Sequence, residues 1–313
     1  MLGKTAGGLF WMFRYLERSE NTARLVDSGF RMALTRGEEA SDEWASVVAT
    51  AGLENEFKAT GMAVEPSNVV NFLLRDKDNP SSVLSVMESA RNNARLVRTA
   101  LTREVWEAVN DSWITLSEAL SNRIKETELP ALLGTIRQQS ALVRGALHGT
   151  MLRNDIYNFS RIGTFVERAD STARIVDVKY FVLLPSASFV GSSLDNVQWE
   201  SILRSASGER AFRWLYEGDV SPGKITDFLI LDPRMPRSFA YCYDKIVRNL
   251  SYLSGEYGVE PASCEIAHEI RDRLSSCTID TIFEYGLHEF VQGFLRDNAK
   301  FATQFESDYR FIE

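Results

Sequence analysis

YLERSENTARLVD, at Tyr15–Asp27, and FVERADSTARIVD, at Phe165–Asp177, are one segment written twice, 165 − 15 = 150 positions apart. Seven of the thirteen aligned positions are identical, among them Glu17/Glu167, Arg18/Arg168, Arg24/Arg174 and Asp27/Asp177, and the other six are conservative exchanges. A second pair follows in the same order: FLLRDKDNPSS at Phe72–Ser82 and FLILDPRMPRS at Phe228–Ser238, 228 − 72 = 156 positions apart. Two matches in the same order imply a tandem duplication. The expected units are residues 1–150 and 151–313.

Helical punctuation dominates both units. Leu16, Ala23, Val26 and Phe30 share one face at a period near 3.6, as do Trp44, Val47, Val48 and Ala51. Ser41 reads as a cap for the second of these helices and Gly61 as its stop, while Pro66, Thr102, Pro130, Ser221, Ala262 and Thr278 mark further starts. Asn79-Pro80 and Met235-Pro236 read as caps followed by a first-turn proline. A long helix from about Asn154 should end before Pro185, and Pro185–Ser193 reads as a loop. No alternating run bounded by turn residues supports a strand. The expectation is an all-α helical bundle of about a dozen helices, its two units packed as one body without a flexible linker.

Composition narrows the function. With 35 basic and 43 acidic side chains, 35 − 43 = −8, the chain repels polyanions, which disfavours nucleic acid as a partner. Cys242, Cys264 and Cys277 form no C-x-x-C pair and leave an odd thiol, as expected of a reducing, cytoplasmic compartment. No segment reaches the roughly 18 apolar residues that a membrane span needs. Phosphate-loop, dinucleotide-binding, nucleophile-elbow and zinc-protease motifs are all missing, so no cofactor is expected. Gly7-Gly8 reads as a signal preceding the first helix, and Phe10, Trp11, Phe13 and Tyr15 as core packing.

The repeated charges are the candidate site. On a helix Glu17, Glu20, Arg24 and Asp27 form one stripe, and Glu167, Asp170, Arg174 and Asp177 form its counterpart, with Arg14, Arg18 and Arg168 at the edges. Three readings compete. The charges pair across the interface between the units and fix its register. Alternatively Arg18, Arg24, Arg168 and Arg174 grip a carboxylate or phosphate, with the acidic groups aiming their forks. A metal between Glu17, Glu20, Glu167 and Asp170 is disfavoured by the arginines and by the missing second Glu-x-x-His pair, Glu265-x-x-His268 occurring once. Cys264 and His268, four residues apart, read as packed helix-face residues rather than a catalytic pair.

WMFRYLERSENTARLVD (Trp11–Asp27), FLLRDKDNPSS (Phe72–Ser82), ARNNARLVR (Ala90–Arg98), GTMLRNDIYNFSRIGTFVERADSTARIVD (Gly149–Asp177), PRSFAYC (Pro236–Cys242) and GLHEF (Gly286–Phe290) together resemble the alpha-E domain family. These are bacterial all-helical proteins named for a Glu-Arg motif. The resemblance implies a circularly permuted ATP-grasp protein as partner, with a transglutaminase-like cysteine peptidase often nearby. It implies a role in peptide synthesis or modification in which the ATP-grasp protein performs the ligation. The chain would then be a non-catalytic binding or scaffold component. The alternatives are an enzyme acting on peptides or amides through Glu17 and Arg18, and a structural oligomerisation module. Two positions depart from the family pattern: Phe13 stands where glycine is usual and Thr164 where arginine is usual, which favours the first stripe over the second as a ligand site.

Overall fold

The computed structural model describes residues 1–36, 40–181, 193–217 and 220–311, in which there are fifteen α-helices and no strand. The first seven are α1 (Gly3–Arg36), α2 (Ala40–Ala51), α3 (Glu54–Ala59), α4 (Pro66–Leu74), α5 (Val83–Leu96), α6 (Arg103–Ala119) and α7 (Leu129–Thr150). Then come α8 (Asp155–Phe181), α9 (Ser193–Ser205), α10 (Glu209–Tyr216), α11 (Pro222–Ile230) and α12 (Phe239–Tyr257). The last three are α13 (Ala262–Ser276), α14 (Ile279–Tyr285) and α15 (Leu287–Asp308). None of the described helices is long and apolar enough to cross a membrane.

Helices α1 and α8 carry the two repeated stretches and pack directly against each other at the centre of the fold. Around α1 lie α2, α5, α7 and α9, and around α8 lie α9, α12, α15 and α2. Neighbours on nearly every side explain why α1 buries Leu9, Phe10, Met12, Phe13 and Leu16, five residues within eight positions, rather than a single stripe. They also mean that charges on these two helices must find partners inside the protein, because a buried unpaired charge is too costly to keep.

The crossing of α1 and α8 depends on a missing side chain. A Cβ at Gly163 would stand 2.2 Å from the carbonyl oxygen of Phe10, a backbone atom that cannot rotate aside. Polar bonds then fix the flanking helices. Ser140 on α7 donates to the Leu16 carbonyl at 3.1 Å, and Asn298 on α15 donates to the Val166 carbonyl at 3.3 Å. Leu16 and Val166 are aligned positions of the two stretches, so α7 docks on α1 as α15 docks on α8.

Several local expectations need correction. The caps after the two proline turns are Ser82 and Ser238, which accept from the backbone N–H of Ser85 and Tyr241. Asn79 instead braces its turn, donating to the Phe72 carbonyl and accepting from the Ser81 N–H. The helices begin at Val83 and Phe239, after the proline turns, so the serine just before each takes the cap. Gly7 and Gly8 lie inside α1, where Phe311 and Val97 press on them. The helix bearing Trp44 stops at Gly52, φ +70°, and a further short helix, α3, intervenes before Gly61. Thr102, Ser221 and Thr278 cap as expected, and α8 begins one residue after Asn154. The Ser41 side chain and residues 185–192 lie outside what is described, and Ser193 begins α9 instead of closing a loop.

Two glycine substitutions separate packing from propensity. Gly163→Ala must push α8 off the α1 backbone and is expected to destabilise by about 1–3 kcal/mol. Gly145→Ala on α7, with nothing near its added methyl, is expected to stabilise by about 0.5–1 kcal/mol. Urea denaturation of the two variants against the parent checks both signs.

Candidate functional site

Glu17 and Arg18 on α1 meet Glu167 and Arg168 on α8 in two reciprocal pairs. Arg168 donates through Nε and Nη2 to the two oxygens of Glu17, both at 2.9 Å. Arg18 donates through the same nitrogens to Glu167, at 2.5 and 3.0 Å. Each carboxylate thus receives a planar fork from the other helix, which fixes orientation as well as charge. The burial is severe, with Glu17 and Glu20 each only 1% exposed.

Further arginines complete each side differently. Beside Glu17, Arg237 from the turn before α12 places Nη1 3.1 Å from Glu17 Oε1 and donates through Nη2 to Glu20 at 3.0 Å. Arg144 on α7 donates to Glu20 and lies 3.6 Å from Glu17, and Arg24 binds Glu20 one turn away on its own helix. Beside Glu167, Arg14 donates at 2.9 Å, and Arg174 donates to Asp170 at 2.7 Å. The Thr164 hydroxyl, where Arg14 has its counterpart, donates to the Ser160 carbonyl. Asp27 and Asp177 dock helices: Arg137 of α7 donates to Asp27, while Gln292 of α15 donates to Asp177 and His288 Nδ1 faces it at 2.6 Å.

The electrostatics follow from this geometry. Burial acts to raise the Glu17 carboxyl, but Arg168, Arg237 and Arg144 outweigh it and hold it far below the ordinary carboxylate range. Glu167 is likewise raised by burial and lowered more strongly by Arg18 and Arg14, to about 2. Burial lowers Arg237, to about 10, against the pull of Glu17. His148 is pushed down to about 4, first by burial and then by Arg161 and Arg153, and Arg161 donates to its Nε2. A carboxylate with such a low proton affinity is a poor general base, so Glu17 is not placed to activate a nucleophile.

All eleven charged residues singled out in the sequence converge on α1, α8 and their immediate neighbours, but they do not form one pocket. A cavity of about 190 Å³ opens on the Glu167 side. Its lining includes Arg18, Asn21, Ser81, Glu167, Asp170 and Arg174. There Arg18 keeps Nη1, and Arg174 both Nη groups, free of hydrogen bonds within the described residues. The side chains of Arg18 and Arg174 are 27% and 40% exposed. Asn21 accepts from Arg237 through Oδ1 at 2.7 Å, which leaves Nδ2 buried and without an acceptor. Gly52 forms part of the wall, and a Cβ on it would stand 2.2 Å from Arg174 Nη1.

Two expectations change here. The Arg18 and Arg168 forks hold the protein's own carboxylates and are not available for a two-point grip on a ligand. The open cavity also lies beside the second stripe, not the first, because Arg237 and Arg144 fill the space beside Glu17 and Glu20. Arg144, Arg237, Asn21, Ser81 and Gly52 were not singled out from sequence. The offset of 156 that sets Arg237 against Ser81 was the available signal for two of them. Elsewhere, His268 Nδ1 contacts the carbonyl of Cys264 rather than its thiol, and Cys264 is buried with its thiol pKa raised chiefly by burial. Among the described residues no three His, Cys, Asp or Glu side chains are grouped to hold a metal.

Residues 1–309 match the sequence profile of Alpha-E, a predicted alpha-helical domain with a conserved ER motif, and the chain belongs to that family. Glu17-Arg18 and Glu167-Arg168, the Glu-Arg dipeptides of the repeated stretches, are the residues that form the reciprocal pairs. Uncharacterised proteins of Mycobacterium bovis and Mycobacterium tuberculosis are each 23% identical over 269 residues, covering 80% of this chain and 30% of their own length. The chain therefore spans less than a third of these curated relatives. No solved structure is significantly similar to it.

The pairing makes stability depend on acid. The folded-state pKa of Glu167 lies below its ordinary 4.5, so its contribution is complete above that value and is lost as pH falls toward about 2. Urea unfolding between about pH 5 and pH 2 should show a steep loss of stability, and Glu167→Gln should flatten that slope. Arg168→Ala, which strips the fork from a buried carboxylate, should cost about 3–5 kcal/mol at neutral pH. Arg18→Ala should cost less, since the Arg18 side chain is 27% exposed against 11% for Arg168.

Proposed function

We propose that this protein is a non-catalytic binding or scaffold component of a peptide synthesis or modification system. It works with a circularly permuted ATP-grasp ligase and presents a carboxylate-bearing substrate at an Arg/Glu site. The observation that carries this reading is the cavity beside Glu167. Its arginines are aimed by internal carboxylates yet keep N–H groups that are unused within the described residues, which suits recognition of a carboxylate or another small oxyanion. The buried, arginine-saturated Glu17 argues against an enzyme that uses it as a base, and leaves the neighbouring stripe as a structural clamp.

On the same reading the chain is a tandem duplication of a unit of about 150 residues, 1–150 and 151–313, working in the cytoplasm. The matched stretches and the similar neighbours of α1 and α8 support the duplication. A reducing compartment agrees with three free cysteines. Duplication lets one copy of the stripe lock the two central helices while the other keeps an opening. A transglutaminase-like peptidase is the expected second neighbour in the system.

The test is ATP hydrolysis and amide-bond formation by the ATP-grasp protein with and without this chain. Arg174→Ala, which removes the most exposed cavity arginine, is expected to lower the stimulated rate by about tenfold, equivalent to roughly 1.4 kcal/mol. Its folded stability should change by no more than about 1 kcal/mol, because that pair is partly exposed and joins residues four apart on one helix. A ligase indifferent to this protein would remove the proposal.

A further inference from the structure

The two acidic stripes end in different residues at one aligned position. Glu17 and Glu20 share the guanidinium of Arg237. Phe72–Ser82 and Phe228–Ser238 run in register, so the residue standing where Arg237 does is 237 − 156 = 81, Ser81. Ser81 stops at a hydroxymethyl group and lines the cavity with Glu167 and Asp170. On one side of the fold a cation bridges the two acidic residues, and on the other there is open space beside them.

The unsatisfied groups around that space have both signs. Asp170 Oδ1 accepts no hydrogen bond within the described residues, and Glu167 Oε1 accepts only from Arg18 Nε. Residues of the same lining carry donors unused within the described residues: Arg18 Nη1, both Nη groups of Arg174, and the buried Nδ2 of Asn21. An anion alone would leave the acidic oxygens unmatched, and a cation alone would leave the donors unmatched. A ligand carrying an ammonium and a carboxylate satisfies both sets without adding net charge. The cavity, about 190 Å³, has room for such a molecule when it is small.

We propose that this cavity binds a free α-amino acid. The ammonium lies between Glu167 and Asp170, as the Arg237 guanidinium lies between Glu17 and Glu20, and the carboxylate takes the free N–H groups of Arg174, Arg18 and Asn21. The proposal rests on the reading of this cavity as a carboxylate site and names the substrate class that the site presents.

Calorimetric titration of the intact chain with L-alanine, L-glutamate and L-arginine, beside propionate and propylamine, is the experiment. At least one amino acid should bind about tenfold or more tightly than either half-ligand. Ser81→Arg, which supplies the missing guanidinium from the chain itself, should abolish that binding, and Ser81→Ala should retain it. Should Ser81→Arg fail to fold, as judged by circular dichroism, Asp170→Asn replaces it. That variant is expected to lose about tenfold in amino-acid affinity and to keep its propionate affinity. Propionate binding as tightly as every amino acid overturns this proposal and leaves the carboxylate reading standing. The absence of binding by every probe overturns both.

Discussion

Two buried forks, Arg168 on Glu17 and Arg18 on Glu167, are the interaction on which the rest of the structure depends. They join the two central helices, and α2, α5, α7, α9, α12 and α15 pack around that pair. A buried ion pair adds little net stability over an apolar contact of the same shape, because both charges give up their water. It does impose register. Shifting α1 along α8 by one turn would leave two carboxylates and two guanidinium groups buried without partners. Gly163 acts in the same direction by bringing the backbones close enough for the forks to reach.

Once register is fixed, the two stripes differ in how their carboxylates are matched. Around Glu17 and Glu20 the protein supplies Arg24, Arg144, Arg168 and Arg237. Around Glu167 and Asp170 it supplies Arg14, Arg18 and Arg174, and leaves a cavity. In the first arrangement every carboxylate oxygen of Glu17 and Glu20 faces a guanidinium. The second has the same chemistry with donors to spare and a route to solvent. The two arrangements are thereby built from nearly the same residues, and the difference lies in residues reaching in from other helices and turns.

Preorganisation is the physical advantage of such a site. An arginine free in solution pays conformational entropy when it grips a ligand, whereas Arg18 and Arg174 are already held by Glu167 and Asp170. The same carboxylates keep a net positive cluster from repelling itself inside the fold. Gly52 serves the cavity as well, since its left-handed backbone ends α2 without a side chain in the space of the Arg174 guanidinium.

The sequence by itself determined a great deal: the helical class, from period-3.6 faces and serine, threonine and proline start signals, and the importance of the charged stripes, from their repetition. It also limited the partners those charges could have, since charges on a helix rich in core residues must be paired. Which charge pairs with which was decided only by the tertiary structure. Glu17 with Arg18 and Glu167 with Arg168 are neighbours along the chain, but the bonds cross from one helix to the other, because adjacent residues on a helix point in different directions. Nor could the linear order show that Arg144 and Arg237 fill one stripe while Ser81 leaves the other open. Those residues come from separate elements, and their meeting depends on how α7 and the turn before α12 pack against α1.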